Sequence, residues 1–205
     1  RLVAAELVHQ ARTVAGSVCV FKHALTRETA YASIPDHERP DLHRRIFAAL
    51  EALPHREQTD EIERLAHHAF RAGAWDRAVG YLRQAGDRAF RRWANGEAEE
   101  RFMPALAALE QWPPSRTRTE LGIDLRLSLR DPLWVLGKMD DMRRRLDEAR
   151  DLAEGIGDSG RLGWACCHLA RLDWAVARHP GALANGGRGL ALAAAIGDPA
   201  LAIET

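Results

Sequence analysis

Cysteine is scarce in this chain: Cys19, Cys166 and Cys167 are its three thiols, and they form no set with metal-ligand spacing. Two of them are neighbours, and adjacent helical residues rarely bridge each other, so a reducing cytosol is the compartment that fits. An excess of charge is also missing. The 29 basic residues balance the 29 acidic ones, so no overall positive field holds a polyanion, and a nucleic-acid role through this segment would need a local patch. No apolar run approaches the roughly 18 residues of a membrane span, and the first residues lack a signal-peptide pattern. A cytoplasmic protein with no membrane partner is expected. There is no phosphate-cradling G-x-x-x-x-G-K-[ST] loop, no nucleophile elbow and no paired catalytic carboxylates. No cofactor and no catalysis are therefore expected of these residues themselves.

What the chain has is apolar content, 46% of it, enough for one elongated or two small cores. From about residue 36 the apolar residues recur at spacings of three and four and almost nowhere alternate, which predicts helices throughout. Ile62, Leu65, Ala66, Ala69 and Phe70 form one stripe, "RAGAW" turns the chain, and Trp75, Ala78, Val79, Leu82, Ala85, Ala89 and Phe90 form the next. A third stripe runs through Ala98, Phe102, Ala105, Leu106 and Leu109 to "WPPS", with Pro104 inside it. Proline removes a backbone donor at a cost of about 3 kcal/mol in a regular helix, so a kink or break is expected just before it.

The later part repeats. "LAEGIGD" at 152–158 returns as "LAAAIGD" at 192–198, an offset of 192 − 152 = 40 residues with a helix and a turn between. Two helices per unit at this period predict an α-solenoid. The final "ALAIET" reads as a helix cut short and the first residue is Arg, so the chain is taken as a piece of a longer protein. Its cut end, with Leu192, Ile196, Leu201 and Ile203, is expected to expose an apolar face and to self-associate weakly. The first 35 residues differ. "LVAAELV" suits a short helix, "VHQARTVAGSVCVF" suits a hairpin about Gly16, and a helix follows, an order that suggests the end of a winged-helix domain. The expected architecture is thus all-α: residues 1–35 as the C-terminal part of a winged-helix domain with a small β-hairpin, and 36–205 as the helical repeat region.

"FKHALTRETAYASI", "LHRRIFAALEAL", "LAHHAFRAGAWDRAVGYLRQAGDRAFRRWANGEA" and the "IGD" repeats resemble the region downstream of the ATPase module in bacterial STAND-type signalling ATPases. The resemblance covers nearly the whole chain, is densest between 20 and 100, and is strongest to proteins that join an adenylate or guanylate cyclase, an AAA-like ATPase and a tetratricopeptide-like tail. It implies a TPR-like, noncatalytic module for protein–protein interaction that regulates a signalling ATPase or nucleotide cyclase. ATP/ADP and Mg²⁺ would bind elsewhere in the parent. The partners implied are a protein or peptide and the ATPase domain of the same parent. The alternative is the sensor region of a transcriptional regulator whose separate helix-turn-helix binds DNA. By its place in "F-x-H-A-L", the resemblance makes His23 a sensor of the ADP phosphate in the intact parent; the other reading is a helix cap or a packing corner. The serine of the family's "RRSAN" is replaced by Trp93, whose favoured use is packing between helices and whose other use is a partner site.

Three further groupings carry less chemistry. Arg83, Arg88, Arg91 and Arg92 form a basic cluster diluted by Asp87, Glu97, Glu99 and Glu100, suited to an intramolecular or protein contact. "RRRLDEARD" places Arg143 with Asp147 and Arg144 with Glu148 at ion-pair spacing, which reads as a solvated helix face. His67 and His68, with His43 and His55 upstream, invite a metal, but neighbouring helical residues point about 100° apart and lack the i, i+4 spacing of a helical zinc pair. No metal site is expected there. "CCH" at 166–168 fans around its helix in the same way and suits buried small side chains.

Overall fold

The computed structural model describes residues 8–13, 16–53 and 59–205, with side chains from residue 21 onward apart from 54–60. Most of the segment predicted as "LVAAELV" and all of His55 lie outside the described residues. Strands β1 (Val8–Thr13) and β2 (Gly16–Phe21) pair antiparallel in a register that sets Val8 opposite Phe21 and Thr13 opposite Gly16. Eleven helices follow among the described residues: α1 (Ala24–Ala32), α2 (Arg39–Glu51), α3 (Thr59–Ala72), α4 (Trp75–Arg91), α5 (Asn95–Gln111), α6 (Arg116–Ser128), α7 (Arg130–Val135), α8 (Met139–Gly155), α9 (Ser159–Ala175), α10 (His179–Ile196) and α11 (Pro199–Glu204). Apart from the strand pair the fold is all-α, and no described helix is long and apolar enough to cross a membrane.

Each long helix packs on the next: α2 on α3, α3 on α4, α4 on α5, then α6 on α8, α8 on α9 and α9 on α10. The first three apolar stripes lie where their spacing puts them. Leu65, Ala69, Ala78, Val79, Ala89 and Phe102 are almost wholly enclosed between α3, α4 and α5. Pro104 does not break α5, which runs unbroken from Asn95 to Gln111. Burial of Phe102, Ala105, Leu106, Ala108 and Leu109 on the same helix is worth several times the roughly 3 kcal/mol that a mid-helix proline costs.

The connections obey a rule only half visible in the sequence. Among the described residues six turns place a residue in the left-handed region: Gly73, Trp93, Gly137, Gly157, Ala177 and Gly197, with φ between 58° and 72°. In each, the next residue donates its N–H to the carbonyl five positions back, as in Ala74 to Ala69 at 3.0 Å and Arg178 to Asp173 at 2.7 Å. That is the six-to-one bond of a Schellman helix stop. The spacing is twenty residues from 73 to 93 and again through 137, 157, 177 and 197; the interval from 93 to 137 is longer because "WPPS" and the short α7 intervene. In both "IGD" turns the glycine supplies the positive φ, and Asp158 or Asp198 caps the next helix by accepting from the N–H of Arg161 or Leu201.

Trp93 and Ala177 occupy positions where a Cβ is strained by about 1–2 kcal/mol, and Trp93, 80% exposed, recovers nothing by packing. Part of that strain is offset by the entropy an L-residue removes from the unfolded chain. Trp93→Gly and Ala177→Gly are each expected to raise stability by about 0.5–1 kcal/mol in urea unfolding at neutral pH. A loss of stability in Trp93→Gly would show that its ring packs after all.

Two sequence expectations need correction here. Arg143 and Arg144 do not form the pairs with Asp147 and Glu148: Arg143 reaches across to Asp173 on α9, Arg144 pairs back to Asp141, and Glu148 is held by Arg126 of α6 at 2.7 Å and by Arg145 at 3.1 Å. That face is a cross-helix network. At the C-terminal end Leu201 is buried between α9 and α10, where a Cβ on Gly163 would collide with it, so only Ile196 and Ile203 of the expected apolar set stand well exposed.

Candidate functional site

His23 is the N-cap residue of α1, with extended backbone (φ −129°, ψ 137°), an exposed side chain and no side-chain capping bond. The capping reading of its imidazole is therefore not realised. Helix α1 buries none of its own residues, and Leu25 lies in the open. The basic cluster on α4 is divided. Arg83 faces Asp124 of α6 at 3.7 Å, Arg92 turns to Glu97 at 3.2 Å, Arg91 lies beside Asp87, and Arg88 is engaged as well. Burial pushes the Asp87 carboxyl up, against the pull of Arg83 and Arg91. Trp93 does not pack between helices: it projects from the α4–α5 turn, at a backbone angle that glycine takes in four of the other five turns.

Two features of the structure collect chemistry. The first is a groove of about 590 Å³ along α9, flanked by α7 and α10. Its walls are apolar: Trp134 of α7, Trp174 of α9 (69% exposed), and Leu183 (76% exposed) and Leu190 of α10. Between the two leucines Gly186 and Gly187 leave a trough, since a Cβ on Gly187 would meet nothing within 4 Å and one on Gly186 only Ala170, at 3.8 Å. The floor is polar and fully paired. Arg130 donates to both carboxylate oxygens of Asp131, at 3.0 and 3.1 Å, and to Nε2 of the buried His168. Burial foremost, then the Arg130 charge, holds His168 down to about 3, so it is a neutral acceptor. Arg171 gives the rim a cation, paired with Glu204 at 3.2 Å and largely exposed. Thr205 lines one part of the groove; it follows α11, which packs on α9 with Leu201 against Gly163 and the Cys167 thiol donating to the Glu204 carbonyl.

The second feature joins α1, α2 and α3. His43 of α2 is buried, and its ring stands over both His67 and His68 of α3, with centroid separations of 5.5 and 5.0 Å; those two rings are 5.2 Å apart. His43 Nδ1 is 2.8 Å from His68 Nδ1, and the Tyr31 hydroxyl is 3.0 Å from His43 Nε2. One ring nitrogen from each histidine lies within 4.8 Å of the other two. All three are driven toward the neutral form, chiefly by burial. His67 adds its effect on His43, Arg71 acts on His43 and His67, and His43, His67 and Arg64 join burial in lowering His68 to about 4. The 100° divergence of adjacent helical residues, which argued against this grouping, does not prevent it, because a third ring from the neighbouring helix sits between the two directions. Cys166 and Cys167 are buried and their thiols raised by burial, in keeping with small core residues.

No family model matches the chain. It is 32% identical over 147 residues, 70% of its length, to a protein of Rhizobium meliloti (strain 1021) described only as uncharacterized; the match spans 14% of that protein. Among solved structures it is similar to BtubC (BKLC) from P. vanneervenii, with a TM-score of 0.51 and 14% sequence identity, over 85% of this chain and 78% of that one. That likeness concerns the fold alone.

Proposed function

We propose that this chain is a noncatalytic, TPR-like helical-repeat module, preceded by the end of a winged-helix domain, that docks an amphipathic helix of a protein partner and so regulates a STAND-type signalling ATPase. The observation that carries the docking role is the groove between α7, α9 and α10: two tryptophans and two leucines around a glycine trough, open to solvent. Large rings recover little free energy while exposed; burying Trp174 and Leu183 would contribute roughly 1.5–3 kcal/mol each, and the half-buried Trp134 and Leu190 about half as much. A helix with leucine or phenylalanine at i, i+3, i+4 and i+7 matches the Leu183-to-Leu190 spacing, and a carboxylate at one end of it would face Arg171. The twenty-residue turn period supports the repeat reading, and the resemblance of residues 20–100 to STAND proteins supports the place in signalling.

The test is a titration of fluorescein-labelled amphipathic helices, acidic at one end, against the chain. The expected result is saturable binding that quenches tryptophan emission and weakens at least tenfold in Trp174→Ala. Gly187→Glu should block the trough while leaving the fold as stable or more so, because a helical glycine in open space is replaced by a better helix former. If no helix in the series saturates below about 1 mM, the reading fails. It is equally overturned if Trp174 is already buried in the full-length parent, for the groove is then an internal seam between repeats.

A further inference from the structure

We propose that His43, His67 and His68 form a three-histidine site for a divalent transition-metal ion such as Zn²⁺ or Co²⁺. The geometry is close to what such an ion requires. With a metal–nitrogen bond of about 2.05 Å and a ring centre about 1.15 Å further out, tetrahedral ligation sets imidazole centroids about 5.2 Å apart. The three separations here are 5.5, 5.0 and 5.2 Å. Ligand nitrogens around the same ion stand about 3.3 Å apart, so the 2.8 Å pair, His43 and His68, has to open by about half an ångström. His67, the exposed member, has room to swing its nitrogen inward.

The ligands come from two helices already packed on one another, with His43 oriented from behind by Tyr31. That is the outer partner a metal-bound imidazole needs. In the empty site a single proton lies between the two Nδ1 atoms. If Tyr31 donates to His43 Nε2, that proton belongs to His43 Nδ1 and is donated to His68. Ligation frees both Nδ1 lone pairs when His43 takes the other tautomer, with Nε2–H donating to the Tyr31 oxygen; no net proton leaves the protein. Imidazole nitrogens suit Zn²⁺, Co²⁺, Ni²⁺ and Cu²⁺ and exclude Mg²⁺ and Ca²⁺, which take oxygen ligands. Arg64 and Arg71 face the cluster and oppose added positive charge. The fourth position, on the open His67 side, therefore suits an anion such as hydroxide, chloride or a carboxylate.

The test uses tag-free protein, so that no other histidine tract competes. Zn²⁺ titration by calorimetry and Co²⁺ titration by visible absorption are expected to give one equivalent per chain, the tetrahedral Co²⁺ band, and a melting temperature that rises with metal concentration. His67→Ala, an exposed and foldable change, should weaken binding by tenfold or more. Tyr31→Phe keeps all three ligands and should weaken it about tenfold, as loss of an outer-shell partner does. His179→Ala, an exposed histidine on α10, should leave affinity unchanged. Absence of stoichiometric binding at 100-µM-scale Zn²⁺, or equal affinity in wild type and His67→Ala, would overturn the proposal and leave the three rings as a hydrogen-bonded corner.

Discussion

Truncating Phe102 to alanine is expected to cost about 3–5 kcal/mol, the range for a fully enclosed aromatic ring whose cavity the neighbours cannot refill. Phe102 is 1% exposed and lies on α5 directly over Gly86 of α4; a Cβ on that glycine would sit 2.6 Å from Cε1 and 2.8 Å from Cδ1 and Cζ. Ring and glycine are therefore one packing unit, which separates this pair from ordinary core truncations. Alone, Gly86→Ala should destabilise by about 1–3 kcal/mol despite alanine's better helix propensity, because a rigid buried ring cannot yield. With Phe102 already truncated, the collision disappears and the same Gly86→Ala should be neutral or stabilising by up to about 1 kcal/mol. Urea unfolding of the four proteins measures the coupling directly. Additivity within about 0.5 kcal/mol would mean that the ring does not rest on Gly86.

The apolar stripes of residues 62–109 were legible because each lies on one face of its own helix, and the "IGD" repeat because its glycine and aspartate do local work as helix stop and helix cap. The full turn period was not legible. Trp93 and Ala177 hold left-handed positions without being glycine, so only two of the six stops shared a motif. At Pro104 the expected break does not occur, because burial of five neighbours on the same helix outweighs the lost backbone bond. The histidine grouping was visible in the sequence but set aside for a geometric reason. Sequence spacing describes ligands on one helix, whereas His43 arrives from the neighbouring helix α2, 25 residues before His68. Its available signal was the histidine set itself, His43 with His67 and His68, without the packing that joins them. The groove was equally hidden, since Trp134, Trp174 and Leu183 come from three helices and only packing brings them to one face.

Among the described residues Arg143→Ala is expected to be the costliest charge substitution, at about 3–5 kcal/mol, because it strands a buried carboxylate. Asp173, with a side chain only 4% exposed, accepts from Arg143 of α8 and from Asn185 of α10 at 3.1 Å. It also lies against the first turn of α10, close enough that a Cβ on Gly181 would fall 2.7 Å from its Oδ2. The positive end of α10 and Asn185 replace only part of what Arg143 supplies. The reverse change, Asp173→Ala, leaves a guanidinium that can reach solvent, so its cost should be smaller, about 1–2 kcal/mol, and the double variant should cost less than the sum. This carboxylate ties α8, α9 and α10 together one residue from Trp174, so the same substitution should also loosen the groove. Arg143→Ala is thus expected to weaken helix docking under conditions where the protein is still folded, while Arg144→Ala, whose pair to Asp141 is exposed, should change neither stability nor binding by more than about 0.5 kcal/mol. Equal costs for Arg143→Ala and Asp173→Ala in chemical denaturation would show that the carboxylate is rehydrated once its partner is gone, and that the three helices are held by their apolar contacts alone.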